Sequence, residues 1–313
     1  MSAKQATEDR HDSDDRRGVP RRIMTAVVPG GLSDGAVDFA AQLAVACGAE
    51  LELLHVLAVP TLLGMRLSGG ELEVLNTERR EQVAKELTSH FAPSGARMIG
   101  ARSLVDCLRV LAGHPSKVVL EEARRTRADL IVLGSSGKRK ELDFGGVARA
   151  VLSQAPCPVL LVPRAARRVR KLLVPVDLSP ASLAALAVAR DWAKLHGANL
   201  LAIHCFSIPE LVAYGIPEAP LAPMDLAVDE LRAAAKERFD REMSRFDWRN
   251  VPWDARLFDD APEQTILEIQ DDFDLIVMST HGHTGLSAAL LGSVAYNVMR
   301  RAHTPILACP ARA

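Results

Sequence analysis

Short, almost continuous apolar runs recur along the chain and alternate with stretches whose apolar residues return every three or four positions. Leu275-Ile276-Val277-Met278 is typical, followed at once by the small and polar Ser279-Thr280-His281-Gly282. Runs of this length without internal alternation read as strands buried on both faces of a parallel sheet, and the periodic stretches between them as crossover helices. Strands are predicted near 24–28, 50–57, 97–102, 129–134 and 158–162, and again near 171–176, 199–206, 253–258, 274–279 and 305–309. A long amphipathic helix is predicted before each third strand, over Glu71 to Ala92 and Asp225 to Phe246. The fold class that follows is α/β, built from doubly wound parallel sheets.

The pattern occurs twice. Met24-Thr25-Ala26-Val27-Val28-Pro29 is answered by Leu172-Leu173-Val174-Pro175-Val176-Asp177, and Ala128-Asp129-Leu130-Ile131-Val132-Leu133-Gly134 by Phe273-Asp274-Leu275-Ile276-Val277-Met278-Ser279. Both halves close alike, with Cys157-Pro158-Val159-Leu160-Leu161-Val162-Pro163 beside Thr304-Pro305-Ile306-Leu307-Ala308-Cys309-Pro310. The expected organisation is a polar, disordered tail (1–20), a first domain (21–163), an Arg-rich linker (164–170) and a second domain (171–313). The closing strands, short and bracketed by prolines, suit sheet edges. Two equivalent edges in one chain could pair about a pseudo-twofold axis.

Composition narrows the function. Lys plus Arg (38) nearly balances Asp plus Glu (39), so there is no electrostatic footprint for nucleic acid. The five cysteines are odd in number and lack CxxC spacing, which excludes a disulfide framework or zinc ribbon and fits a reducing cytosol. No run reaches membrane-spanning length, and the opening residues lack the apolar core of a signal peptide. The expected setting is cytoplasmic, with neither membrane nor nucleic acid as partner.

The chemistry gathers between Asp274 and Val294. Strand, glycine loop and helix start meet there, with Gly292-Ser293 opening the periodic segment Val294 to Met299. Such an arrangement collects backbone N–H groups and the positive end of a helix dipole, which suits a phosphate. The spacing Ser279-x2-Gly282-x9-Gly292-Ser293, with Pro175-x-Asp177 after the first strand of the half and His204-Cys205 ending the second, resembles the universal stress protein family. ATP-binding members of that family carry Gly-x2-Gly-x9-Gly-Ser/Thr. The resemblance covers nearly everything after Arg21. It implies two tandem domains of adenine nucleotide α-hydrolase-like fold, each a five-stranded parallel sheet in the order 3-2-1-4-5 with ligand at the carboxyl ends of the strands. It also implies pairing through the last strands.

Carried over residue by residue, the resemblance implies an ATP site in the second half. Asp177 would accept hydrogen bonds from ribose or the adenine amine, and the backbone at Cys205 would face the base. Pro175 and Met278 would line its slot; Gly282, Gly292 and Ser293 would hold the phosphates, flanked by Val176 and Val294, with Mg2+ as a companion of the ATP and no protein residue assigned to it. Ser279 replaces the first glycine of the motif, and if positive φ is needed there its Cβ is a cost.

The first half departs further. Gly31 stands where Asp177 does, removing the carboxylate, and Gly146 replaces Ser293. Seven residues rather than nine separate Gly137 from Gly145, although Lys138, Arg139 and Lys140 add positive charge. This half reads as a scaffold for the other. Pro29-Gly30-Gly31-Leu32-Ser33-Asp34 shares its glycine pair with the loop of ATP pyrophosphatases but lacks the leading serine, and reads as a glycine turn. His281 and His283 could bind zinc only with a third ligand that the sequence does not supply. His55 and His204 end matching strands and read as structural or pocket-lining. The Pro-rich stretch around Tyr214, residues 207–223, reads as a loop over the pocket or a partner surface.

The functional expectation is an ATP-binding stress-response regulator with little or no turnover, because no Walker lysine follows the glycines. The alternatives are a nucleotide-free scaffold and a slow ATPase. Expected partners are an adenine nucleotide, the other half of the same chain, a homodimeric copy and a protein that the sequence does not name.

Overall fold

The computed structural model describes residues 18–58, 69–91, 98–99, 102–134, 146–163, 168–207, 222–282 and 291–311. The first half runs β1 (Arg22–Ala26), α1 (Asp34–Cys47), β2 (Glu50–Ala58), α2 (Gly69–Phe91), β3 (Met98–Ile99), β4 (Arg102–Ser103), β5 (Leu108–Gly113), α3 (Pro115–Thr126), β6 (Leu130–Gly134), α4 (Gly146–Gln154) and β7 (Val159–Val162). The second runs β8 (Lys171–Pro175), α5 (Pro180–His196), β9 (Asn199–Cys205), α6 (Ala222–Arg245), β10 (Trp253–Phe258), α7 (Pro262–Ile269), β11 (Leu275–Ser279), α8 (Ser293–Arg301) and β12 (Ile306–Cys309).

Ten of these strands form one sheet, ordered β10-β9-β8-β11-β12-β7-β6-β1-β2-β5. Each half therefore has the 3-2-1-4-5 order, parallel throughout. Alternate residues of one strand feed the two faces. Leu172, Val174, Leu275 and Val277 join one buried cluster, while Leu173, Ile276 and Met278 join the other. Burying each such side chain is worth about 1.5–3 kcal/mol, so unbroken apolar runs settle at the sheet centre.

One predicted strand is misplaced. The third strand of the first half is Leu108–Gly113, not 97–102, where Met98–Ile99 and Arg102–Ser103 instead make a separate two-stranded hairpin. The hairpin is an insertion relative to the second half, whose third strand follows the long helix directly. The better marker is proline: β5 and β10 each lie just before a helix that begins with one, Pro115 and Pro262.

The halves meet through their last strands. β12 pairs antiparallel with β7, and Leu307 faces Leu160, each the second residue of its strand, so the pseudo-twofold axis passes between them. Arg149 on α4 lies over the ring of Tyr296 on α8, 5.6 Å from its centroid, bridging the same axis. Gly18 packs against Asp191 of α5, so closely that a Cβ there would come within 2.6 Å of the Asp191 side chain. Val169 is buried, and the Arg170 N–H donates to Asp274 Oδ2 at 2.8 Å, which fastens the end of the inter-domain segment. Among the described residues, no helix is long and apolar enough to cross a membrane.

Candidate functional site

In the second half three strand ends and two helix starts converge. Val176, just beyond β8, donates its N–H to Ile203 O at 2.8 Å, and its carbonyl lies 2.7 Å from His204 Nδ1, which must be protonated to donate. His204 also stacks on the fully buried Phe239. These bonds hold Asp177 at the rim of the sheet. Its Oδ1 accepts the Ser179 N–H at 2.9 Å, and Ser179 in turn caps α5 by accepting from the Ser182 N–H at 3.2 Å. The tight turn forces Leu178 to φ +65°, a left-handed conformation that costs a non-glycine residue about 1–2 kcal/mol.

The loop after β11 comes down onto this carboxylate. A Cβ at Gly282 would lie 2.5 Å from Asp177 Oδ2, so glycine is needed here for close approach. The Gly292 N–H donates to Thr280 O at 2.8 Å, which sets the start of α8. Gly292 offers no side chain to cap the first N–H groups of that helix. Ser279 Oγ donates to His281 O at 2.7 Å, and Ser279 is not among the residues with positive φ, so its Cβ brings no backbone strain. His281 Nδ1 lies 2.8 Å from Thr280 Oγ1, while its Nε2 is buried without a hydrogen-bond partner among the described residues.

These groups enclose a cavity of about 260 Å³. Pro175, Val176, Asp177, Cys205, Met278, Ser279, Gly282, Gly292, Ser293 and Val294 all line it, so the ten residues picked from the sequence share one wall system. Ser182, Ile203, His204, Pro262, His281 and Ala295 complete it. Of these, His204 and His281 were visible as histidines near strand ends. Pro262 carried a signal too: a proline-led helix after a strand of a doubly wound sheet starts at the ligand-binding edge. Burial raises the pKa of the Cys205 thiol, against a hydrogen bond with Thr265, so the group stays neutral and serves as apolar lining.

The first half uses the same frame differently. His55 Nδ1 lies 2.9 Å from Val27 O, repeating the His204–Val176 contact, so the residue equivalent to Asp177 is Val28 and not Gly31. No residue is inserted between the first two strands, since Arg22 faces Glu50 as Lys171 faces Asn199. The turn after β1 is longer only because α1 starts later in its frame, at Asp34, than α5 does at Pro180. That turn uses Gly30 and Gly31 at φ +83° and +76°, and Ser33 Oγ accepts the Val28 N–H at 2.8 Å. It falls across the end of β6, where a Cβ on Gly134 would meet Ser33 Cα at 3.2 Å and Leu32 O at 3.3 Å. Asp34, the nearest carboxylate in the chain, is paired with His90 at 2.7 Å.

Several expectations lie outside the described residues: Lys138 to Lys140, Gly137, Gly145, His283, Tyr214 and most of its loop, and residues 1–17. Among the described residues no three His, Cys, Asp or Glu side chains are grouped to hold a metal ion.

The family model for the universal stress proteins matches twice, over residues 20–163 and 168–310. The chain belongs to the universal stress protein family. Two universal stress domains thus stand in tandem. A universal stress protein of Mycobacterium tuberculosis is 30% identical over 240 residues, covering 73% of this chain and 77% of that protein. One from Mycolicibacterium smegmatis is 27% identical over 300 residues, covering 91% of this chain and 95% of its own length. A crystal structure of a universal stress protein from Archaeoglobus fulgidus superposes with a TM-score of 0.63 at 20% identity, over 92% of this chain and 98% of that one, a likeness of fold.

Proposed function

We propose that the second universal stress domain (171–313) binds an adenine nucleotide, ATP in the first instance, and that the protein is a cytoplasmic, nucleotide-responsive stress regulator. The observation that carries this reading is the convergence of an acidic rim, an apolar slot and an uncapped helix start on one cavity that holds a partnerless histidine nitrogen. Asp177 suits the nucleoside hydroxyls or amine. Pro175, Val176, Met278 and Val294 suit the faces of a base. The N–H groups of Ser293 and Val294, the Ser293 hydroxyl and the close backbone at Gly282 and Gly292 suit phosphate oxygens. Among the described residues His281 Nε2 lacks the partner that a buried nitrogen normally has, and a ligand oxygen would supply one.

At about 260 Å³ the cavity lies just below the roughly 300–1,000 Å³ usual for ligand sites, which gives room for a nucleoside with its phosphates at the rim. Among the described residues that line it there is no lysine or arginine, which favours binding over phosphoryl transfer. In this reading Mg2+ travels with the triphosphate, and the first domain (21–163) serves as the structural partner of the second. Denaturing the purified protein and analysing the supernatant by chromatography should release adenine nucleotide, or the emptied protein should bind added ATP. An empty pocket that also ignores ATP leaves the scaffold reading.

A further inference from the structure

We propose a second ligand site, between the two domains and at the opposite, amino ends of the strands, that takes an aliphatic carboxylate. It is independent of the nucleotide reading. A cavity of about 600 Å³ opens there between the end of α3, the residues before β7 and the flank of α5. Its floor is apolar and buried, formed by Ala128, Leu130, Cys157 and Trp192. Its rim carries three arginines, Arg21, Arg124 and Arg127, all exposed.

Neighbouring arginines are ion-paired and, among the described residues, these are not. Arg125 pairs with Glu122, and Arg22 pairs with Glu50 and donates to Thr126 O, the carbonyl that closes α3. Among the described residues, Arg21 and Arg127 make no side-chain hydrogen bond or ion pair, and Arg124 reaches only Gln154 O at 3.3 Å. One carboxylate, Asp129, also lines the cavity. Its Oδ2 accepts the N–H groups of Arg21 and Arg22 at 2.9 and 3.0 Å, as Asp274 Oδ2 does for Arg170 and Lys171. Because both domains use this aspartate to fasten a strand, it belongs to the fold.

What the domains do not share points to a ligand. Ala128 lies two residues before the start of β6, and its twin two residues before β11 is Phe273, which packs on the core. Arg127 has Asp272 for a twin. One domain thus has a bulky ring and an acid where the other has a methyl group and a base. A dry floor beneath forked guanidinium groups fits a carboxylate head with an aliphatic tail, bound bidentately at the rim.

The test is calorimetric titration of the full chain with decanoate, decanol and inorganic phosphate. Decanoate should bind at one per chain, at least about tenfold tighter than either control, since a charge-assisted pair contributes at least that much. Ala128→Phe, which copies the twin, should abolish binding. The double variant Arg124→Ala, Arg127→Ala should weaken it about tenfold or more with melting temperature unchanged. No binding of decanoate, equal affinity for decanol, or undiminished binding to folded Ala128→Phe each overturns the site. If Ala128→Phe does not fold by circular dichroism, the arginine variant decides, and unchanged affinity there also overturns it.

Discussion

The two domains carry the same strand-end histidine contact and part company one residue later. In the second, Asp177 stands at the rim above a cavity; in the first, Val28 is 46% exposed and a longer glycine turn lies across the end of β6. The turn length decides the difference. With Asp177-Leu178-Ser179 the chain enters α5 at once and leaves the corner open, at the expense of a left-handed leucine. With Pro29 to Ser33 it has slack, and two glycines let it fold inward. An acidic residue at position 28 alone would not restore the site.

The largest effects should come from removing what only the second domain has. Asp177→Ala and Gly292→Val should each lower ATP affinity on the order of a hundredfold, the first by loss of the acceptor, the second by crowding Thr280 O, which already lies 3.4 Å from the would-be Cβ. Calorimetry that finds wild-type affinity for both would erase the distinction between the domains. Gly282→Ala should follow at about tenfold, because its methyl group collides with Asp177 Oδ2 and must push the carboxylate aside.

A smaller effect, on stability, sharpens the other side. Gly31→Ala places a Cβ at φ +76° and should destabilise the first domain by about 1 kcal/mol in urea unfolding while ATP affinity stays put. Falling ATP affinity would mean that the first domain's turn governs the second domain's site.

pH offers a further discriminating measurement at the end of α5. Burial, with Arg168 nearby, lowers the pKa of His196, so folding favours its neutral form. The unfolded chain takes up this proton near the ordinary value of about 6.5 and the folded one only at lower pH. Stability is therefore full above about 6.5 and declines as pH falls from there to the depressed folded value. His196→Gln should flatten that part of the curve, and an unchanged slope would assign it to another group. The smallest effect expected is none: Val28→Asp should leave stoichiometry at one nucleotide per chain, and a second equivalent would show that the first corner is open after all.

Much of this was legible in the sequence because the signal was local. Apolar patterning, continuous or alternating, marked nine of the ten sheet strands, and small residues around Gly282 and Gly292 marked a place where backbone must approach something closely. The lost strand, β5, was hidden by the inserted hairpin at Met98 to Ser103. The true twin of Asp177 was hidden by the later start of α1, and the strand register and the contact of His55 with Val27 place it at Val28. The His281 nitrogen, unsatisfied among the described residues, depends on how distant elements pack, and no spacing along the chain encodes that.

The antiparallel junction of β7 with β12 has a consequence for assembly. Each of these strands has its outward hydrogen-bonding groups occupied by the other, so neither can recruit a second molecule. The sheet's remaining rims are β5 and β10, and β10 presents the charged Asp254 and Arg256, which resist strand addition. A single polypeptide has thereby internalised what would otherwise be a handshake between two.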